Sequence, residues 1–278
     1  LEFIHCIFAK KKTTFAPQNN LRMNRDSIFG LAIAFLALVF VFLQTPSHET
    51  PGEPSPLSAD RQLFVASYGS PLLNGVADDD VWQSAEWLPL DQPWLGALPT
   101  AADYSGRYKI AWDENNLYVL AEITDDTLID TQVDGLLKYW DDDCLEVFVD
   151  EDASGGNHQY SYNAFAYHIA LDGKVVDICP DSSFAYFNDH CTTRRTTHGQ
   201  VSTWEVSIKL FDGNKYNNEG ENIPKLLKSG KKIGFALAYC DNDHSSEREN
   251  FMGSVVVAGD DKNRGWIDAG IFGFLELK

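Results

Sequence analysis

Seven short segments dominate the chain from residue 107 onward: RYKIAW (107–112), NNLYVLAEI (115–123), CLEVFVD (144–150), YNAFAYHIAL (162–171), KVVDI (174–178), STWEVSIKL (202–210) and KIGFALAYC (232–240). They are rich in Val, Ile, Tyr, Phe and Trp, side chains that fit a pleated, half-buried surface. Asn, Asp and Gly cluster between them, and short runs bounded by such residues read as strands. DENN (113–116) and LDGK (171–174) are hairpin-type turns. Only VADDDVWQSAEW (76–87) and NIPKLLKSG (222–230) predict short helices. Many strands with little helix leave few architectures. The expected fold class is all-β, a β-sandwich of immunoglobulin- or jelly-roll-like kind over residues 61–278. No strand–helix alternation with a GxGxxG turn occurs, which argues against a dinucleotide-binding fold.

Ahead of that region lie segments of different character. IFGLAIAFLALVFVFL (28–43) carries no charge and predicts a transmembrane signal anchor, with a cleaved signal peptide as the alternative. Lys10, Lys11, Lys12, Arg22 and Arg25 lie on its N-terminal side, an asymmetry that places the bulk of the chain outside, on the periplasmic or cell-surface side. QTPSHETPGEPSPLSAD (44–60) holds four prolines in a polar stretch and reads as a stiff spacer. Within the N-terminal segment 1–27, Met23 followed by NRDSIFG resembles a natural start, and residues 1–22 are set apart from the fold.

The formal net charge is -19. The chain lacks the Lys and Arg clusters that a phosphate backbone requires, so nucleic acid is not an expected partner. Membrane contact is expected only through the N-terminal segment. Cys144, Cys179, Cys191 and Cys240 fall in the folded part. Four cysteines in an exported domain allow two disulfides in three connectivities. Cys179 and Cys191 flank a short polar-aromatic loop and are the pair expected first. No CxxC or CxxCH spacing points to zinc or to covalent haem.

The stretch KYWDDDCLEVFVDEDASG (138–155) sets an indole before three aspartates and an alternating strand. Alternation puts Cys144, Glu146 and Phe148 on one side of that strand. Glu146 is a lone charge among apolar neighbours, which is unexpected unless it is paired or used. Among the tryptophans, Trp82, Trp112 and Trp204 fit a core, and Trp87 and Trp94 fit either role. Trp140 and Trp266 sit among polar residues, in KYW-DDD and KNRGW-IDAG.

Together, YGSPLLNGVADDDVWQSAEW (68–87), WDENNLYVLAEITDD (112–126), WDDDCLEVFVDED (140–152) and the closing GWIDAGIFGFLELK (265–278) resemble the family 9 carbohydrate-binding modules. The resemblance covers about residues 64–278, with Cys179 to Gln200 read as loop. It implies a β-sandwich that binds oligo- or polysaccharide of glucan or xylan type without catalysis, in support of carbohydrate catabolism. Any link to hydrolysis would run through the xylanase-type partners of the family. The implied slot holds a sugar ring between two tryptophans, which fall on Trp140 and Trp266, beside a carboxylate that falls on Glu146. Where the family has a basic residue on the following strand, this chain has His168, which loses a permanent charge at neutral pH.

The chemistry suits such a slot. An indole offers a flat, electron-rich, apolar face to the C–H face of a sugar ring. By analogy with base stacking, each platform contributes on the order of 1–3 kcal/mol. Carboxylates accept charge-assisted hydrogen bonds from hydroxyls. No cofactor is expected beyond the structural calcium that the resemblance allows. Asp125, Asp126, Asp141 to Asp143, Asp150 to Asp152 and Asp241 to Asp243 could supply oxygen ligands. No EF-hand spacing occurs, and turn-forming, solvated aspartates are the competing expectation. Two other readings stay open on the sequence. A glycoside hydrolase needs two carboxylates at a fixed separation. An exported haem-binding, electron-transfer domain needs axial ligands, for which Met252 with His168 or His244 would serve.

Overall fold

A computed structural model describes residues 61–278 apart from Glu219 and Ser245. The anchor and spacer expected over 28–43 and 44–60 lie outside the described residues. Among the described residues, no helix is long and apolar enough to cross a membrane.

The chain opens with β1 (Leu63–Tyr68), a short helix α1 (Asp80–Ser84), β2 (Leu88–Pro89) and β3 (Gln92–Leu95). A long hairpin follows, β4 (Tyr104–Trp112) and β5 (Leu117–Asp125). Asp113 closes it, its Oδ1 accepting from the backbone N–H groups of Asn115 and Asn116 at 2.8 Å each. Next come β6 (Cys144–Asp150), β7 (Phe165–Ala170), β8 (Val175–Ile178) and β9 (Phe184–Tyr186). The turn between β7 and β8 uses Gly173 at φ 84°, a left-handed conformation that glycine adopts without steric cost. The last strands are β10 (Cys191–His198), β11 (Val201–Ile208), β12 (Lys232–Asp241), β13 (Asn250–Gly253) and β14 (Gly273–Leu277).

Strand pairing follows one continuous path, β10-β11-β5-β4-β1-β14-β12-β6-β7-β8-β9, with β13 and β2 attached beside β12 and β4. The path bends at β1. Leu63 to Ala66 run parallel to β14, and Ser67 and Tyr68 run beside β4. The two halves then face each other across the core. Tyr104 of β4 stacks on Tyr239 of β12 at 5.7 Å between ring centroids, and Tyr108 packs against Phe235 at 6.3 Å. The expected sandwich is therefore a curled, sandwich-like sheet in which one strand serves both halves. Trp82, Trp112 and Trp204 are buried as expected, and Trp94 joins them, its indole N–H donating to the Val255 carbonyl at 2.8 Å.

Three local expectations are corrected. Residues 222–230 form no helix. Their backbone N–H groups serve tertiary contacts instead, with Lys225 donating to the Leu210 carbonyl and Leu227 to that of Glu114. The stretch read as loop, Cys179 to Gln200, contains β9 and β10. CTTRRTTH has no large apolar residue to mark it, yet its threonines are β-branched, and it pairs with β11 from Cys191↔Ile208 to His198↔Val201. Cys179 and Cys191 are not bridged. All four cysteines of the described region are buried free thiols. Cys179 follows β8 at one end of the strand path, whereas Cys191 opens β10 at the other.

Candidate functional site

Strand register builds the floor of a cavity. In the β6–β7 pair, Glu146 lies opposite His168 and Phe148 opposite Ala166. Directly opposed residues share a face. Beside β6, β12 places Ala238 opposite Glu146 and Ala236 opposite Phe148, two small side chains that leave room above them. The cavity over this floor has a volume of about 340 Å³, and Trp140, Trp266, Glu146 and His168 all line it. Tyr139, Tyr160, Asp177, Phe184, Arg248 and Asn263 contribute as well.

Trp140 stands on the loop before β6, and the aspartates that follow it pin that loop. Asp142 accepts from Thr131 Oγ1 at 3.1 Å and from the Gln132 N–H at 2.8 Å. Asp143 accepts from the N–H groups of Ile129 and Asn242, at 2.5 and 2.8 Å. The expectation of solvated aspartates fails here, because all three are buried. Trp140 keeps a partly exposed indole, edge-on to Tyr139 at 5.0 Å and tilted to Phe184 at 6.0 Å. Trp266 is held from below by His158. The His158 backbone N–H donates to the Ile267 carbonyl at 2.8 Å, and its Nε2 donates to the Gly265 carbonyl at 2.7 Å. Burial lowers the His158 pKa, which favours a neutral ring, and the bond to the Gly265 carbonyl places its proton on Nε2.

The polar floor is unevenly satisfied. Glu146 Oε1 lies 3.1 Å from His168 Nε2, and His168 Nδ1 lies 3.2 Å from the Ala166 carbonyl. Both ring nitrogens therefore face acceptors, which calls for a doubly protonated ring. Burial alone lowers the His168 pKa, but the charge and hydrogen bond of Glu146 outweigh it and the net shift is upward. Glu146 Oε2 is buried and has no hydrogen-bond partner among the described residues. A second cation closes the site. Arg248 lies 4.1 Å over the Phe251 ring, its Nη1 2.9 Å from Cys240 Sγ and its Nη2 3.3 Å from Asn263 Oδ1. It supplies a permanent charge where His168 provides only a titratable one. Arg248 carries no local signal of this role, since it sits between two glutamates in a polar loop. Asp177 was detectable, as the lone charge of the strand VVDI (175–178). Burial pushes its pKa up to about 7, while both its oxygens accept backbone N–H bonds, from Ala166 at 2.9 Å and Ile178 at 2.7 Å.

Asp177, the second carboxylate of the cavity, has each of its oxygens accepting one backbone N–H. Met252 is buried in the core, His244 is exposed, and His168 has both nitrogens engaged, so no axial pair for haem forms among them.

A cluster of a different kind lies at the ends of β5, β6 and β12. Carboxylate oxygens of Asp125, Asp143 and Asp241 lie within 4.8 Å of one another, all three residues are buried, and Asp241 Oδ1 has no partner among the described residues. Burial pushes Asp143 up to about 9 and Asp241 up to about 8, with the Asp125 charge adding to each shift. A hard, oxygen-seeking cation such as calcium fits this donor set. A second, less buried trio is formed by Asp103, Asp126 and Asp243.

The carbohydrate family 9 binding domain-like family matches residues 73–278. Endo-1,4-beta-xylanase A of Thermotoga neapolitana is 27% identical over 217 residues, a match that covers 77% of this chain and 18% of that protein. Exoglucanase XynX of Acetivibrio thermocellus is 28% identical over 225 residues, 80% of this chain and 18% of that protein. The chain thus spans under a fifth of the length of either enzyme. Among solved structures, a carbohydrate binding module family 9 protein of Caldicellulosiruptor kristjanssonii in complex with cellotriose superposes with a TM-score of 0.60 at 22% identity, covering 78% of this chain and 94% of that one. A carbohydrate binding module family 9 protein of the same organism in complex with glucose gives 0.58 at 21% identity, covering 78% and 96%. At these identities the likeness is one of fold.

Proposed function

This chain belongs to the carbohydrate family 9 binding domain-like family, and we propose that it captures oligosaccharides without catalysis, one sugar ring lying between Trp140 and Trp266. The observation that carries this reading is Glu146 Oε2, a buried carboxylate oxygen with no partner among the described residues, at the floor of an aromatic-walled cavity. Such an oxygen is costly unless something donates to it, and a sugar hydroxyl is a donor of the right kind. Arg248 and Asn263 stand ready for the remaining hydroxyls. The complexes of similar folds with cellotriose and glucose support glucan-type ligands, and the xylanase relatives support xylan-type ligands. In this reading the run at 28–43 and the spacer at 44–60 tether the module outside the cell, and recovery of the native protein in a soluble cell fraction would count against the tether.

Calorimetric titration with glucose, cellobiose and xylobiose tests the slot. Trp140→Ala and Trp266→Ala should each weaken binding by about 1–3 kcal/mol, the scale of an aromatic platform. Wild-type affinity in either variant would remove that indole from the site.

In the same proposal Asp125, Asp143 and Asp241 hold a calcium ion. Its charge would neutralise the buried carboxylates and brace the loop that carries Trp140. It takes no part in sugar contact.

A further inference from the structure

We propose that Tyr160 is a specificity residue, the platform for the second ring of a sugar chain whose end occupies the slot; this rests on the sugar-binding reading above. Tyr160 lines the same cavity as Trp266, yet it is 44% exposed, which places it at the mouth. Its backbone lies at φ 58°, in the left-handed region. Glycine and asparagine accept that conformation readily, whereas for a bulky side chain it is a genuine outlier. Strain of this kind persists only where the surroundings enforce it, and it gathers at binding sites. Nothing within the fold accounts for an aromatic residue there. Less than half of the residue is exposed, and the hydroxyl makes no hydrogen bond among the described residues.

The surroundings that enforce it also hold the slot. His158 donates to the carbonyls of Gly265 and Ile267, on either side of Trp266. The His158 carbonyl in turn accepts from the Ser161 N–H at 3.0 Å, closing the turn that carries Tyr160. One histidine therefore fixes both aromatics. A rim platform positioned in advance loses little freedom when a ligand arrives. A single sugar fills the slot alone, whereas a linked chain leaves through the mouth and brings its next ring to Tyr160. The ligand class selected is an oligosaccharide of two or more rings.

The test compares glucose with cellobiose on the intact chain and on Tyr160→Phe, Tyr160→Ala and Tyr160→Asn. Ala and Asn should lower the ratio of cellobiose to glucose affinity about tenfold and Phe should keep it, as expected for loss of one stacking face. Asparagine suits the left-handed backbone, so Tyr160→Asn should melt no lower than wild type and its loss cannot be ascribed to misfolding. An unchanged cellobiose-to-glucose ratio in Tyr160→Asn would overturn the inference, as would a parallel fall in both affinities. If the wild type binds neither sugar, the underlying reading fails first, and that outcome is distinct from either.

Discussion

Replacing Glu146 with alanine should destabilise the fold by about 3–5 kcal/mol and abolish sugar binding. The first effect is that of removing one partner from a buried ion pair, which leaves the other charge uncompensated. The sign of its pH dependence follows from His168, whose pKa is raised in the fold above the ordinary 6.5. The stability that the pair contributes is fully present below about pH 6.5 and fades as the pH rises through the folded value. Urea unfolding of wild type and Glu146→Ala should thus differ most near pH 5.5 and converge at higher pH. Glu146→Leu with His168→Leu separates the pair's two roles. Replacing both members of a buried ion pair by apolar residues is often neutral or stabilising, so this variant should regain stability and still bind no sugar. If it binds cellobiose normally, the carboxylate is not a ligand contact.

Chelation should have the second large effect. If free calcium exceeds the dissociation constant a thousandfold, its loss removes about 4 kcal/mol. For a domain of this size that is roughly 10 °C in melting temperature. The pH profile identifies the residues. Asp143 and Asp241 titrate near 9 and 8 in the cation-free fold, far above their ordinary 3.8, so between about pH 4 and 8 the folded chain holds protons that the unfolded chain has released. Without calcium, stability must fall as the pH rises across that window. With calcium, the ion replaces the protons and the fall is abolished. Scanning calorimetry with chelator and with calcium, at pH 5 and pH 8, should show a small difference at pH 5 and a large one at pH 8. Equal melting temperatures at pH 8 would mean that the three carboxylates bind no cation.

What the sequence disclosed depended on whether a residue's setting was local. Strands such as CLEVFVD and KIGFALAYC were legible because their own composition marks them. CTTRRTTH was not, because its strand character comes from pairing with β11 at the sheet edge. Glu146 stood out as a lone charge on an apolar strand, and Asp177 carried the same signal one hairpin later. Arg248 could not be recovered this way, and Asp125, Asp143 and Asp241, though among the aspartates named as possible oxygen ligands, could not be told from the rest. Their surroundings come from β5, β6, β12 and a loop that meet only when the sheet curls, so exposed and buried aspartates look alike until then.

The most direct test of the central claim is a crystal structure of the chain with cellobiose. The account predicts one glucose ring between Trp140 and Trp266, with a hydroxyl within hydrogen-bond distance of Glu146 Oε2. A sugar bound elsewhere on the molecule, with that oxygen still unpartnered, would contradict it.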